Sequence, residues 1–414
     1  MSAPRAPRLS RRQLLGSSAV ASLGAAVASV GATAGSAAAA EGTAAIPFYD
    51  RHQAGVATVP QDHLSFATFD VAPGATRADV ADALRRWTAD AATLTQGHAL
   101  RGPAGPEDPP ADAGEATGLG PARLTITLGL GPDFFSDQLG NAAGRPAALA
   151  QLPAYDGDDL DAVRSAGALC VQACADNAQS AFAAVHELAR SSLGVLELRA
   201  VQAGYTKNAT TADPRVARDL LGFHRTTNNI GWDDVAALDR FVWIDAPDPT
   251  WLRGGTYLVA RRIRITLEQW SSVSLAEQEG AVGRHRGSGA PLGGRHLHDR
   301  VDLTATGPQG NLLIPPGAHI RVASPEGNGG TRILRRGYTF SDGVDPTTGE
   351  LDAGTFFIAF QRDPGRQFGD MLGRLVAGDA LHRYLVHTSS GVFAVPRGLG
   401  RGEDWGSLLL GRSG

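Results

Sequence analysis

Short stretches in which apolar and polar residues alternate recur along the chain, and stretches with the period of an amphipathic helix lie between them. Strict alternation places every second side chain on one face and predicts a half-buried β-strand. The predicted strands are residues 63–71, 124–130, 168–175 and 193–205 in the first half, and residues 256–266, 319–323, 337–340, 355–361 and 391–395 in the second.

Helix-start signals precede the helical stretches. Thr76 and Asp79 have the spacing of a capping box, and the apolar residues 80, 84, 87, 91 and 94 that follow fall on one helix face. Asp176 is predicted to cap a second helix. The apolar face of that second helix is predicted to contain Phe182, Val185, Leu188 and Ala189. Further helices are predicted near residues 275–282 and 367–376.

The two halves repeat one order of elements: strand, helix, two strands, helix, strand. This order predicts an α+β fold of two tandem ferredoxin-like domains, each an antiparallel sheet with flanking helices. The domains are predicted at residues 41–220 and 251–414. Residues 221–250 join them and are rich in Asp and Asn. Ligand sites are common at such junctions.

Composition and charge exclude some classes of protein. The chain has 414 residues, of which 43% are hydrophobic and 19% charged, which is typical of a folded globular protein. The formal net charge of −4 argues against nucleic-acid binding, which requires a basic face. Cys170 and Cys174 fall in one predicted strand about 13 Å apart, too far for a disulfide. They are predicted to be small buried apolar side chains.

Residues 1–40 have the pattern of an export signal. Residues 10–15, with Arg11 and Arg12, resemble the twin-arginine signal. A weakly apolar stretch and small residues at 37–40 follow them. Glycine and serine interrupt the apolar stretch, so a stable membrane span is not predicted. The sequence therefore predicts export by the twin-arginine machinery to an extracellular, periplasmic or cell-envelope location, with the mature chain starting near Glu41.

Several stretches resemble the dye-decolorizing peroxidases, especially the exported class similar to bacterial deferrochelatases. They are residues 46–71, 169–176, 254–265, 283–294, 317–325, 333–340 and 351–364, in the family's order. The resemblance covers nearly all of the chain after the export signal. It implies a peroxidase with haem b in the C-terminal half. Its substrates would be hydrogen peroxide and small phenolic, dye-like or porphyrin reductants.

The resemblance also implies roles for individual residues. His319 matches the proximal ligand of the haem iron, and Arg335 matches a distal arginine that stabilises negative charge on peroxide. Asp379 is a candidate partner for the His319 imidazole, although a solvated surface carboxylate is the simpler interpretation. Arg284 is a candidate partner for a haem propionate, with Arg286 as a rival. Further haem contacts are implied for Thr226, Thr227, Asn228, Ser324, Pro325 and Phe357.

One motif departs from the family pattern. The family has a G-x-x-D-G stretch, and the matching residues 222–228 read Gly-Phe-His-Arg-Thr-Thr-Asn. Arg225 stands at the position of the distal aspartate, and Thr226 at that of the second glycine. The family's aspartate is thought to move a proton between the oxygens of bound peroxide. Arginine keeps its proton and has no lone pair to offer. Arg225 could still attract hydroperoxide, but the peroxide step is predicted to be impaired.

Three interpretations of this departure are open. The chain is a working peroxidase that relies on Arg335 and water, or a haem-binding or iron-acquisition protein with little activity, or the product of two compensating frameshifts. Asp233 and Asp234 are candidate substitutes for the missing base. Candidate surface residues for electron transfer from bulky reductants are Trp251, Trp270, Tyr338 and Trp405. The physiological reductant and homo-oligomeric assembly are left open.

Overall fold

The computed structural model describes residues 44–102, 105–206, 218–225, 227–245 and 249–411. The predicted export signal and Thr226 lie outside the described residues. The strands are β1 (His63–Val71), β2 (Thr125–Leu130), β3 (Leu169–Ala175), β4 (Leu196–Tyr205), β5 (Thr256–Ile265), β6 (Leu334–Arg335), β7 (Tyr338–Val344), β8 (Leu351–Gln361) and β9 (Leu385–Val395). The α-helices are α1 (Arg77–Leu94), α2 (Ala178–Ser191), α3 (Val235–Phe241), α4 (Leu267–Ser272), α5 (Leu275–Val282), α6 (His319–Val322), α7 (Asp370–Gly378) and α8 (Trp405–Leu410).

The two halves have the same strand order. In the first half the order is β4-β1-β3-β2, and in the second it is β9-β5-β8-β7, with β6 also paired to β8. Each half therefore places its first strand between its last two strands, with antiparallel pairing throughout the described ladders. The α+β fold class and its duplication, as predicted, are confirmed.

Single residue pairs join the two sheets at their edges. Leu130 of β2 pairs with Ala394 of β9, and Tyr205 of β4 pairs with Thr339 of β7. The pairings thus close a ring, and Glu41–Gly414 form one compact unit. The boundary predicted at residues 221–250 stays a prediction.

The inner faces of the two sheets share one apolar core. Alternate residues of each strand point inward, because successive side chains of a strand lie on opposite faces. The inward-facing set includes Leu64, Phe66, Cys170, Cys174, Leu258, Tyr338, Phe340, Phe356, Phe360 and Phe393. On its outer face the first sheet is covered by α1, α2 and α8, whose Trp87 and Trp405 are buried there.

The outer face of the second sheet forms one wall of a cavity. Six side chains of three adjacent strands lie on that wall: Ile263 and Ile265 from β5, Thr355 and Phe357 from β8, and Leu385 and His387 from β9. In register, Ile263 lies opposite Thr355 on one side and His387 on the other. The duplicated fold therefore places a cavity on the C-terminal half.

Several predicted elements agree closely with the structure. The limits of β1 and α5 are as predicted, and the Thr76–Asp79 capping box is present at the start of α1. Cys170 and Cys174 are free and buried, as predicted. Within the described residues, no helix has the length and apolar character needed to cross a bilayer.

Three local predictions are wrong. His319 begins a short helix and does not lie in a strand; the apolar stretch there is too short to separate one helical turn from a strand. Asn177 caps α2, because the Asp176 carboxylate pairs with Arg123 instead. Phe182 is 53% exposed, whereas Val185 and Leu188 are buried as predicted, together with Ala181 and Ala184.

Candidate active site

The cavity has a volume of about 530 Å³, which is in the range of cofactor sites. The outer face of the second sheet forms one wall. The opposite walls come from α6, α7 and the loops before β6, and their lining residues include Ile320, Ala323, Ser324, Pro325, Met371, Leu372 and Leu375. Thr227 and Asn228 of the segment before α3 also line the cavity. About half of the lining side chains are apolar, and the others are polar or charged.

His319 lies in the cavity and is held by a carboxylate. Its Nδ1 is 2.6 Å from Oδ2 of Asp379, whose side chain is buried, and the other Asp379 oxygen accepts a hydrogen bond from the Leu381 amide. The amide of Ala380 donates to the carbonyl of Gly317 at 2.8 Å, which ties the two segments together. This arrangement leaves Nε2 of His319 for a ligand in the cavity. The interpretation of Asp379 as a solvated surface residue is wrong.

The pKa of His319 reflects this contact. Burial alone would lower it, but the Asp379 carboxylate raises it, and the pKa lies above its ordinary value. A carboxylate on Nδ1 is the usual partner of a metal-bound histidine, since it fixes the ring and makes the other nitrogen a stronger ligand.

Three arginines gather on another side of the cavity. Arg335, Arg284 and Arg332 all line it. Burial lowers the pKa of Arg335 to about 10, and the charges of the other two arginines act in the same direction. Arg335 forms none of the ion pairs between described residues. Such a group of cations suits an anionic ligand, and the two propionates of haem would neutralise it.

Asn229 holds the backbone that carries Arg335. Its Oδ1 accepts from the Arg335 amide at 2.9 Å, and its Nδ2 donates to the Arg335 carbonyl at 2.8 Å. The two bonds fix β6 beside the segment that departs from the family motif. The sequence offered no sign of this contact, because the two residues are far apart in the chain.

Arg225 is directed at a strand and does not line the cavity. Its Nη1 donates to the Gly337 carbonyl at 3.2 Å, and its Nη2 donates to Thr339 Oγ1 at 2.6 Å. The cavity lining contains Thr227 and Asn228 from this segment but not Arg225. This geometry does not support a direct contact between the Arg225 guanidinium and peroxide.

Asp219 is a cavity residue that the sequence reasoning missed. Its Oδ1 accepts hydrogen bonds from the amides of Leu221 and Phe223, at 3.0 and 3.1 Å. Burial raises the pKa of this carboxyl, while the nearby Arg225 lowers it. The positive charge of Arg225 therefore acts on a buried carboxyl group inside the protein.

His387 is a second histidine in the cavity. Burial, aided by the positive charge of Arg261, lowers its pKa to about 3, so the ring is neutral. Its Nδ1 has no hydrogen-bond partner among the described residues. His387 is therefore a rival iron ligand, but only His319 has a carboxylate on its second nitrogen.

The other predicted site residues divide into two groups. Arg284, Ser324, Pro325 and Phe357 line the cavity together with His319 and Arg335. Arg286 does not line it and donates to Gln278 instead. Asp234 caps α3, and neither it nor Asp233 lines the cavity. Three candidate surface aromatics, Trp270, Tyr338 and Trp405, are buried, so their assignment to the surface is wrong.

The residues present fit haem. The cavity has the right size, one wall offers a carboxylate-backed histidine, and the cations near Arg335 would meet the propionates. The residues that form these features lie far apart in the sequence and in different structural elements, so only the fold brings them together.

Comparisons with known proteins agree with this fit. The C-terminal model of Dyp-type peroxidases matches residues 216–399, and the N-terminal model matches residues 53–206. A dye-decolorizing peroxidase from Thermobifida fusca is 38% identical over 333 residues, which cover 78% of this chain and 74% of that protein. A deferrochelatase from Escherichia coli K12 is 33% identical over 372 residues, 88% of this chain and 87% of that protein.

Solved structures give the same result. Ferric DtpA from Streptomyces lividans has a TM-score of 0.82 and 38% identity, covering 89% of this chain and 98% of its own. A DyP-type peroxidase from Cellulomonas bogoriensis has a TM-score of 0.81 and 35% identity, covering 89% of this chain and 99% of its own.

Proposed function

The chain belongs to the Dyp-type peroxidase family and is a haem b oxidoreductase that reduces hydrogen peroxide; on this basis we propose which side chains carry the reaction. The observation that supports the proposal is the placement of His319, with Asp379 behind it, and Arg335 on the lining of one cavity. When bound, haem supplies the redox chemistry, and the protein supplies position, charge and protons.

His319 would hold the iron of a bound haem through Nε2, and Asp379 keeps the imidazole in one orientation. The carboxylate accepts a hydrogen bond from the Nδ1–H group, with 2.6 Å between Nδ1 and Oδ2, and increases the electron density on the ring. Arg284 and Arg332 would hold the propionates by charge. Phe357, on the sheet wall, would help to exclude water from the bound group.

Arg335 is the group that acts on peroxide. Its guanidinium is a fixed cation on the lining of the cavity, so it favours the hydroperoxide anion and the negative charge that develops on the departing oxygen. Arg284 and Arg332 lie close enough to lower its pKa, and their own pairing with propionates would leave Arg335 free for peroxide.

The proton transfer lacks its usual carboxylate. Arg225 keeps its proton and points to Gly337 and Thr339, so it neither receives nor delivers a proton at peroxide. We propose that solvent then carries the proton between the two oxygens, and that the peroxide step is slower than it would be with a carboxylate at position 225.

Replacing Arg225 with Asp is expected to accelerate the reaction with peroxide by about tenfold or more, toward the ~10²-fold that a positioned acid–base group contributes. The measurement is stopped-flow absorbance of the haem-loaded protein mixed with hydrogen peroxide. Arg225→Asn is the matched control, because it loses the same guanidinium contacts and has the same shape but cannot accept a proton.

Equal rates for the Asp and Asn variants would contradict the proposal that a missing base limits this step. Both variants leave Asp219 without its cation, so each must first show wild-type haem content. A frameshift origin of the motif would be tested separately by reading the codons of residues 222–228 in the shifted frame.

The reductants are small phenolic, dye-like or porphyrin molecules that donate electrons from outside the cavity. One haem fills a cavity of about 530 Å³, so a bulky reductant has no room beside it. Trp251, a partly buried aromatic that stacks on Phe135, is the remaining candidate of the four for a surface donor. The alternative is a haem-binding protein that acquires iron, and it would bind haem without a response to peroxide.

The protein is exported by the twin-arginine route to the cell envelope or beyond. The support is the sequence at residues 10–15 and the small residues before Glu41. Two strains of a bacterial host are compared, one expressing the wild type and one expressing a variant in which Arg11 and Arg12 are both changed to Lys. Only the wild type should give a processed extracellular or periplasmic protein. Equal export of the two forms would contradict the proposed route.

A further inference from the structure

Asp219 stands at the turn that leads into the altered motif. Its amide donates to the Phe223 carbonyl at 3.0 Å, and its carbonyl accepts from the Gly222 amide at 3.0 Å. On the side chain, Oδ1 accepts from the amides of Leu221 and Phe223. These bonds fix a carboxyl group close in sequence to position 225, where the family's aspartate is absent.

The other carboxyl oxygen of Asp219 is open to the cavity. Oδ2 accepts none of the hydrogen bonds between described residues, since both described side-chain bonds end on Oδ1. Asp219 is partly buried and lines the cavity. One oxygen is thus tied to the backbone, while the other can exchange a proton with cavity water and keep its position.

Three other carboxylates line the cavity within the described residues, and each is less suited to this exchange. Asp379 already holds His319. Two backbone amides donate to Asp299 and lower its pKa, which makes it a weaker base. Glu326 is exposed to bulk solvent. Asp219 is therefore the cavity carboxylate best placed to act as a base.

The surroundings of Asp219 also suit proton exchange. Burial raises the pKa of its carboxyl above the ordinary value, while the charges of Arg225 and, to a smaller extent, His319 act in the opposite direction. No hydrogen bond or ion pair among the described contacts joins Asp219 to either residue. A carboxyl whose pKa lies closer to neutrality is a better general base than an ordinary aspartate.

We propose that Asp219 is the acid–base group of this site. Through a water molecule in the cavity, its carboxylate takes a proton from hydrogen peroxide and returns one to the oxygen that leaves. The inference rests on the proposed peroxidase function and deepens it, because it names the side chain with which the solvent exchanges the proton. Because water intervenes, the transfer is slower than with a carboxylate at position 225.

The proposed step leaves Asp219 as it began. Hydrogen peroxide loses the proton of its near oxygen to a water molecule, and that water passes a proton to Oδ2 of Asp219. The carboxylic acid then returns a proton through water to the far oxygen, which leaves as water when the O–O bond breaks. The two electrons that the cleavage requires come from the haem, and Arg335 stabilises the charge that develops on the departing oxygen.

Infrared spectroscopy of the resting protein tests the titration of Asp219 without peroxide. Asp219→Asn keeps an oxygen for the two amides but cannot titrate, so it serves as the reference for a difference spectrum. The wild type should show a protonated-carboxyl band that persists to higher pH than that of an exposed aspartate, because burial raises this pKa. In Arg225→Asn, compared with the double variant, the band should persist to still higher pH, because the positive charge that lowers the pKa is gone.

Stopped-flow absorbance of the haem-loaded protein tests the role of Asp219 in the peroxide step. Asp219→Asn should slow this step by about tenfold, less than the ~10²-fold of a group in direct contact. In the wild type the rate should fall as pH falls through the pKa of Asp219, because only the carboxylate accepts a proton. Asp219→Asn should lose this dependence. Asp233→Asn is the matched control, a nearby carboxylate outside the cavity lining, and should keep the wild-type rate and pH dependence.

Equal rates for the wild type and Asp219→Asn, or an unchanged pH dependence in that variant, would overturn the inference. So would a carboxyl band that titrates like an exposed aspartate and does not move in Arg225→Asn, and this result decides the matter even if Asp219→Asn binds haem poorly. A haem-loaded wild type that does not respond to peroxide would instead contradict the proposed function.

Discussion

Replacing His319 with Ala should abolish axial ligation of the haem iron and with it most stable haem binding. His319 presents Nε2 to the cavity and has Asp379 on Nδ1, and the variant keeps neither the ligand nor its support. The measurement is the Soret absorbance of protein purified with a haem supply, compared at equal protein concentration. Added imidazole should restore a ligated spectrum if the cavity remains intact.

The matched control is His387→Ala. His387 lines the same cavity, and its neutral ring could also bind iron. We expect this variant to keep the wild-type Soret band. The opposite pattern, with haem lost on changing His387 and kept on changing His319, would move the axial ligand to β9.

Replacing Arg335 with Leu should lower the second-order rate of the peroxide reaction by about 10²–10³-fold, the range seen when one preorganised charge-stabilising group is removed. Leucine fills similar space, and the cation nearest to the reacting oxygens is lost. Position 225 has no carboxylate, and no other described side chain of residues 222–228 compensates for the loss of the Arg335 cation. The rate is measured by stopped-flow absorbance at several peroxide concentrations.

Arg284→Leu separates this role from general positive charge. Arg284 is expected to hold a propionate, so its loss should weaken haem binding more than it slows the peroxide step of the loaded protein. If Arg284→Leu and Arg335→Leu slowed that step equally, the cavity would act through its summed charge, and Arg335 would have no special role.

Local patterns predicted most of the strands and the duplicated order of elements. The limits of β1 and the capping box at Thr76 depend on neighbours in the chain, and both are as predicted. His319 lies in a helix instead of a strand because the apolar stretch covers about one turn. The tertiary contact between Gly317 and Ala380 then determines its conformation.

The site was harder to predict than the fold. The family resemblance named His319, Arg335 and Arg284, and all three line one cavity. The direction of the Arg225 side chain could not be read from sequence, since its partners Gly337 and Thr339 lie 112 and 114 positions further along the chain. The burial of Tyr338 between the two sheets likewise depends on the closed ring of strands, which the sequence alone does not show.

The central claim is that this cavity binds haem and reacts with peroxide although position 225 lacks a carboxylate. The most direct measurement is the absorption spectrum of the purified, haem-supplied wild type before and after one equivalent of hydrogen peroxide. The account predicts a Soret band that changes on peroxide addition, more slowly in the wild type than in Arg225→Asp. Absence of a Soret band, or a band that peroxide leaves unchanged, would contradict it.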